Sequence, residues 1–246
     1  MMTSREKSYT LCSLLFETTV DYSTNLQTLL TLIKNTEKKT LIVAPEVSLS
    51  GFDYENIEAA VAFSEVATQA LLSASQEKII VLTMLEEVDG IIFNNAVVFH
   101  NGVLVYKRAK ARLFRLGNEH KYMSEGRDDD FRIIEVDGIK IAIFICFELR
   151  FKELWQKSEG ADVIVTPSWW GKPRAEHFKS LTQTLAIINQ CYVVASDSKN
   201  EDCTGMSSII TPQGEVTFNG NKPCLEIEYS QKKIALMRKY INIGLE

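Results

Sequence analysis

The sequence predicts a layered α/β protein with at least one pair of sheets, and two observations carry that expectation. The first third alternates strand and helix in a βαβαβ order, the pattern of parallel strands joined by crossover helices. The strands "IIVL", "IAIFIC" and "DVIV" are nearly continuous apolar runs rather than clean alternations, which marks sheets covered on both faces.

Taken in order, "YTLCSLLFE" (9–17) has the composition of a strand. The segment 21–35 follows with Leu26, Leu29, Leu30 and Ile33 at helical spacing. "TLIVAPE" (40–46) is a short buried strand, and 57–76 a helix with Ala, Val and Leu on one side. "KIIVLTMLEEV" (78–88) returns to strand. Two strand-like runs then flank "HNG", and another pair flanks "VDG"; both tripeptides are hairpin signals. A short helix at 152–158, a strand at 161–169, a helix at 174–190, a strand at 192–198 and a last hairpin, "SSIITPQGEVTF", complete the body. No repeat, low-complexity tract or Pro/Gly-rich linker interrupts the 246 residues, so one domain is expected over 1–246.

Bulk properties narrow the function classes. With 27 basic and 32 acidic residues mixed along the chain and a net charge of −5, no basic stripe for nucleic acid is present. No apolar run approaches the ~18–20 residues that span a bilayer. The N-terminal stretch "MMTSREKSYTLCSLLFE" lacks the apolar core of a signal peptide. Five widely spaced cysteines without a Cys-x-x-Cys pair suit free thiols in a reducing cytoplasm. His100, His120 and His177 are not spaced as metal ligands, so a metalloenzyme is not expected.

Chemistry in α/β proteins gathers beyond the carboxyl ends of strands, and three apolar runs end in polar groups. Glu46 follows "LIVAP", a place where glutamate is a poor helix cap. Lys107 and Lys110 lie in "VYKRAKARLF". Cys146 ends "IAIFIC" and is followed by Glu148 and Arg150. Each alone has an ordinary explanation: a loop carboxylate, exposed lysines, a core thiol. Together they supply a base to take a thiol proton, a cation for an oxyanion and a nucleophile. A Cys–His pairing of Cys146 with His177 or His120 is the competing hydrolase arrangement. A binding protein that keeps the fold without turnover is the non-enzymatic one.

In these three segments the sequence resembles the nitrilase superfamily of carbon–nitrogen hydrolases. Pro45-Glu46 with Gly51-Phe52, Lys110 with Leu113-Phe114, and Cys146-Phe147-Glu148-Leu149-Arg150-Phe151 fit its blocks in order, and "VIVTPSWW", "PRAEHF" and "GMSSIITPQGE" follow. The resemblance implies a four-layer αββα sandwich and a Glu46–Lys110–Cys146 triad, and selects Lys110 over Lys107. It implies a second glutamate, Glu119 in "FRLGNEHKYMSEG", which orients the lysine and contacts the substrate amide. It also implies an oxyanion N–H at Phe147, substrate contacts from Trp169, Arg174 and Tyr122, no cofactor, and a homodimer or higher homo-oligomer.

Among such hydrolases the segments "GNEHKYMSEG" and "PEVSLSGF" look most like omega-amidase-type members. The expected substrate is therefore a small linear amide, foremost an ω-amide of a dicarboxylate such as α-ketoglutaramate. An N-carbamoyl amino acid, a nitrile, or binding by a catalytically weak homologue are the alternatives. A carboxylate-bearing substrate calls for a cation, for which Arg112, Arg150 and Arg174 are candidates. The chain departs from the family pattern at Arg108, Arg112 and Glu148. It departs again at Leu185 and Ile188, where Arg and Glu are usual, which reads as a paired apolar replacement. Glu148 with Arg150 is the expected brace of the turn after the cysteine.

Overall fold

The computed structural model describes residues 9–245. Two six-stranded sheets face each other. In the first sheet β1 (Thr10–Leu14), β2 (Thr40–Val43) and β3 (Lys78–Val88) are parallel. Their crossovers are α1 (Tyr22–Asn35) and α2 (Ile57–Ala74), as the sequence predicts. Asp21 starts α1 by accepting hydrogen bonds from Ser23 N and Thr24 N, satisfying two of the donors that a helix leaves free at its first turn. The antiparallel β4 (Ile91–His100) and β5 (Val103–Ala109) extend the sheet to the order β12-β1-β2-β3-β4-β5.

The second sheet repeats the plan in the order β11-β10-β9-β8-β7-β6. β6 (Ile134–Val136) and β7 (Ile139–Ile143) form the "VDG" hairpin. β7, β8 (Val163–Pro167) and β9 (Tyr192–Ser196) are its parallel core. The short α3 (Lys152–Gln156) and α4 (Ala175–Asn189) lie between these strands in sequence. The hairpin β10 (Ser208–Ile210) and β11 (Val216–Phe218) completes the sheet.

One apolar cluster fills the space between the sheets and continues beneath α4, through residues such as Val81, Val98, Ile143, Val165, Val194, Phe178 and Leu185. A second lies under α1 and α2 on the outer face of the first sheet. The near-continuous apolar strands are explained by this: β3, β8 and β9 are covered on both faces. Ser13 Oγ donates to Ala195 O and Ser196 Oγ to Leu14 O, pinning β1 to β9 across the interior. The layers form the αββα sandwich.

Three features depart from expectation. The Asp89-Gly90 turn, with both residues at positive φ, makes β3 and β4 a hairpin of its own. β12 (Cys224–Glu228) and α5 (Gln231–Tyr240) follow the expected last hairpin, and β12 returns to pair with β1. Leu185 and Ile188 are not a facing pair: Leu185 is fully buried, whereas Ile188 is on the surface. The N-terminal residues 1–8, part of the stretch read for a signal peptide, lie outside the described residues.

Candidate active site

Glu46, Lys110 and Cys146 come from three separate strand ends, and the sandwich brings them together. Glu46 lies just past β2, where its N–H donates to Ser168 O of the second sheet. Val47 beside it is held at φ 42, and its N–H donates to Thr83 Oγ1. A β-branched residue rarely adopts that conformation, so the surroundings must impose it. Lys110 follows β5, whose alternation turns Tyr106, Arg108 and Lys110 inward. Lys107 points out and pairs with Glu86. Gly126 N–H donates to Lys110 O, and an added Cβ there would lie 2.6 Å from Ala109 O, so only glycine lets that loop approach. Cys146 opens a 3-10 turn, Cys146–Arg150, just after β7. Its φ of 44 is left-handed, the kind of local strain that gathers at functional sites.

The ammonium of Lys110 is fully buried between two carboxylates, 2.7 Å from Glu46 Oε1 and 2.8 Å from Glu119 Oε1. Glu119 also accepts from Phe114 N–H, which fixes its second oxygen. Glu46 Oε1 takes a further hydrogen bond from Asn94 Nδ2, while Oε2 is buried without one. Burial raises the Glu46 pKa, and Lys110 counters it; the Cys146 thiol is a further neighbour that lowers it. Burial and the nearby Glu46 carboxylate push the Cys146 thiol well above its ordinary value, opposed by Lys110. Lys110 itself is held charged: the two carboxylates outweigh the desolvation of its ammonium. The resting cluster is therefore a thiol beside a carboxylate, not a free thiolate.

Cys146 reaches the surface at the floor of a small cleft lined by Phe114, Phe147, Arg150, Trp169, Trp170 and Arg174. Its sulfur lies 3.6 Å from Trp169 O. Arg150 sits over the Trp170 ring and Arg174 over the Phe114 ring. Neither arginine forms an ion pair among the described residues. Desolvation and the Arg174 charge lower the pKa of Arg150, so this end of the cleft carries uncompensated positive charge.

Two residues expected at the cleft lie elsewhere. Tyr122 does not line it; its ring stacks on Tyr54 at 4.3 Å. Arg112 pairs with Asp128 and covers the Phe151 ring. The brace of the cysteine turn is also different from expectation. Glu148 is held by Arg108, with two hydrogen bonds of 2.8 and 2.5 Å, while Arg150 faces the cleft. Glu148 further accepts from Ala111 N and Ile145 N, tying the lysine segment to the cysteine segment. His177 contacts Arg150, and nothing pairs either histidine with Cys146.

Sequence reasoning missed two supporting residues. Asn94 is a buried amide in an apolar strand, and Asp197 stands at the end of "YVVASDS". Asp197 accepts from Trp170 N, Thr204 Oγ1 and Gly205 N, holding the Trp169–Trp170 wall of the cleft. Asp197 carried the signal used for the others, a polar group just after an apolar run, whereas Asn94 lies inside β4 and did not.

The carbon–nitrogen hydrolase family matches residues 9–236. The 2-oxoglutaramate amidase of Bacillus subtilis (strain 168) is 30% identical over 200 residues, 77% of this chain and 76% of that protein. Omega-amidase YafV of Escherichia coli (strain K12) is 27% identical, over 82% and 80% of the two chains. The crystal structure of Saccharomyces cerevisiae Nit3, a nitrilase-superfamily member, superposes with a TM-score of 0.85 at 23% identity, covering 98% of this chain and 96% of that one. The match over nearly the whole described chain shows that this protein belongs to the carbon–nitrogen hydrolase family.

Proposed function

We propose that the protein hydrolyses small ω-amides of dicarboxylates to the dicarboxylate and ammonia, with Glu46, Lys110 and Cys146 as the reacting groups. The observation that carries this is a thiol on the floor of a cleft, backed by a carboxylate with one unbonded oxygen and a buried ammonium, with two guanidinium groups in the cleft wall that have no ion-pair partner among the described residues. The names of the two amidase relatives point to the same substrate class.

Glu46 Oε2 takes the Cys146 proton as sulfur attacks the amide carbon. Lys110 and the Phe147 N–H stabilise the oxyanion. Glu46 returns the proton to the departing nitrogen, and ammonia leaves a thioester on Cys146. Glu46 then draws a proton from water, whose oxygen attacks the thioester; collapse releases the carboxylate and restores the thiol. Glu119 holds Lys110 in place throughout. Arg150 and Arg174 receive the substrate's far carboxylate.

An ammonia-release screen over ω-amides, N-carbamoyl amino acids and nitriles tests the substrate class. Turnover of nitriles alone, or of nothing, would overturn it. Arg150→Ala or Arg174→Ala is expected to raise KM for a carboxylate-bearing amide by about tenfold to a hundredfold, the loss of one charge-assisted hydrogen bond. KM for a neutral amide of equal length should stay unchanged; an equal rise for both would remove the arginines from recognition.

The pH profile follows from the raised Glu46 pKa. The base must be ionised, so kcat/KM is lost as pH falls through that value. The acid limb is expected above the ordinary glutamate range of about 4.3. A limb at or below that value would exclude Glu46 as the base.

A further inference from the structure

Cys12 and Cys224 take no part in the cleft. They lie on β1 and β12, which run antiparallel with Cys12 opposite Glu226 and Leu14 opposite Cys224. Side chains alternate along a strand, so Cys12, Cys224 and Glu226 share one face of the first sheet. It is the face under α1, where Cys12 packs with Leu29 and Ile33 and Cys224 lies against the same cluster. The two sulfurs and a Glu226 carboxylate oxygen all lie within 4.8 Å of one another.

Two neighbouring thiols alone could be simple core filling. The third group argues otherwise: a carboxylate oxygen within 4.8 Å of both sulfurs brings three ligand atoms to one point. The nearby Lys78 ammonium is committed to Ile33 O and Thr36 O at 2.5 and 2.9 Å. Those carbonyls end α1, so the negative end of a helix faces the same corner, which favours a cation there.

We propose that Cys12, Cys224 and Glu226 bind a thiophilic divalent cation, with Zn²⁺ the best match to two sulfurs and one carboxylate oxygen. Zinc bonds of about 2.0–2.3 Å place tetrahedral donors about 3.5–3.8 Å apart, a change that side-chain rotation can supply. Binding replaces two thiol protons with one Zn²⁺ ion, so two protons are released per ion. A water or other small group completes the fourth position. Cys12 is the buried floor of the site, while half-buried Cys224 and exposed Glu226 give the ion its way in. Among the described residues β12 is an edge strand paired only to β1, so the ion would staple this strand to the body of the sheet.

The test uses the full chain with Cys146→Ala, which removes the cleft thiol. Cd²⁺ is titrated while sulfur-to-metal absorption in the ultraviolet and proton release are followed. One ion per chain, two protons per ion and an absorption halved by Cys224→Ser are the expected results. Glu226→Gln should weaken binding on the order of 10–100-fold while leaving the absorption at saturation unchanged. Zn²⁺ should raise the melting temperature of the parent by more than that of the Cys224→Ser form. Full absorption in Cys224→Ser, binding without proton release, or no saturation at one equivalent would overturn the proposal. Cys191 and Cys203 are present in every variant, so they cannot create the difference.

Discussion

Cys146→Ala is expected to abolish ammonia release, by about 10⁴-fold or more, while the protein stays folded. Removal of a nucleophile that acts as a unit with its base costs catalysis on that scale in well-studied hydrolases. The structural cost should be small. Cys146 lies at the cleft floor, and alanine at φ 44 carries the same backbone strain as cysteine. Loss of the sulfur also leaves Glu46 and Lys110 paired as before. The melting temperature should therefore shift by no more than about 2–4 °C, a stability change within about 1 kcal/mol. If the alanine form kept more than about one percent of wild-type turnover, water activated by Glu46 would be the nucleophile and the thioester route would be wrong. A slow amide that leaves an acylated Cys146 detectable by intact mass gives the positive counterpart.

Arg108→Leu should produce the largest loss of stability of any substitution near the cleft that leaves the reacting groups themselves in place. Arg108 is buried, with Glu148 as its ion-pair partner and Ile143 O and Ala109 O as further acceptors. Its removal leaves the Glu148 carboxylate buried without a counter-charge, a loss of about 3–5 kcal/mol. For a chain of this size that lowers the melting temperature by roughly 10 °C. Adding Glu148→Gln to Arg108→Leu should recover part of it, because the stranded charge is gone. Recovery should stop short of full, since Glu148 also accepts from Ala111 N and Ile145 N and an amide can serve fewer donors. A single variant that lost under about 1 kcal/mol would mean that the pair is not structural. Turnover should fall as well, because the same carboxylate ties the Lys110 segment to the Cys146 segment.

Glu46, Lys110 and Cys146 were legible because each interrupts an apolar run at a strand end, and the resemblance then chose Lys110 over Lys107. The period of two in β5 gives a physical reason for that choice: Lys107 and Lys110 fall on opposite faces. Partners were not legible. Arg108 and Glu148 are 40 residues apart, and only the docking of β5 against the turn after β7 makes them a pair. Arg150 was read both as a brace beside Glu148 and as a candidate cation for the substrate; the 3-10 turn sends it into the cleft, away from the first role. The resemblance put Tyr122 at the substrate, and a carboxylate-bearing substrate made Arg112 a candidate cation; neither lines the cleft, and instead Tyr122 stacks on Tyr54 and Arg112 pairs with Asp128. β12 alternates Leu225 and Ile227 with Glu226 and Glu228, a readable strand signal. α5 buries only Ile234, so its apolar face is too narrow to announce a helix.

On the proposed mechanism the two sheets divide the chemistry between them. Base and ammonium stand at ends of strands in the first sheet, and the thiol stands at the end of β7 in the second. Neither half alone holds a reactive centre: one is a salt-bridged carboxylate, the other an unassisted thiol. The first half is finished only when the chain's last strand comes back to lie beside its first. Reactivity is thus a property of the closed sandwich, withheld from a partly synthesised or partly opened chain.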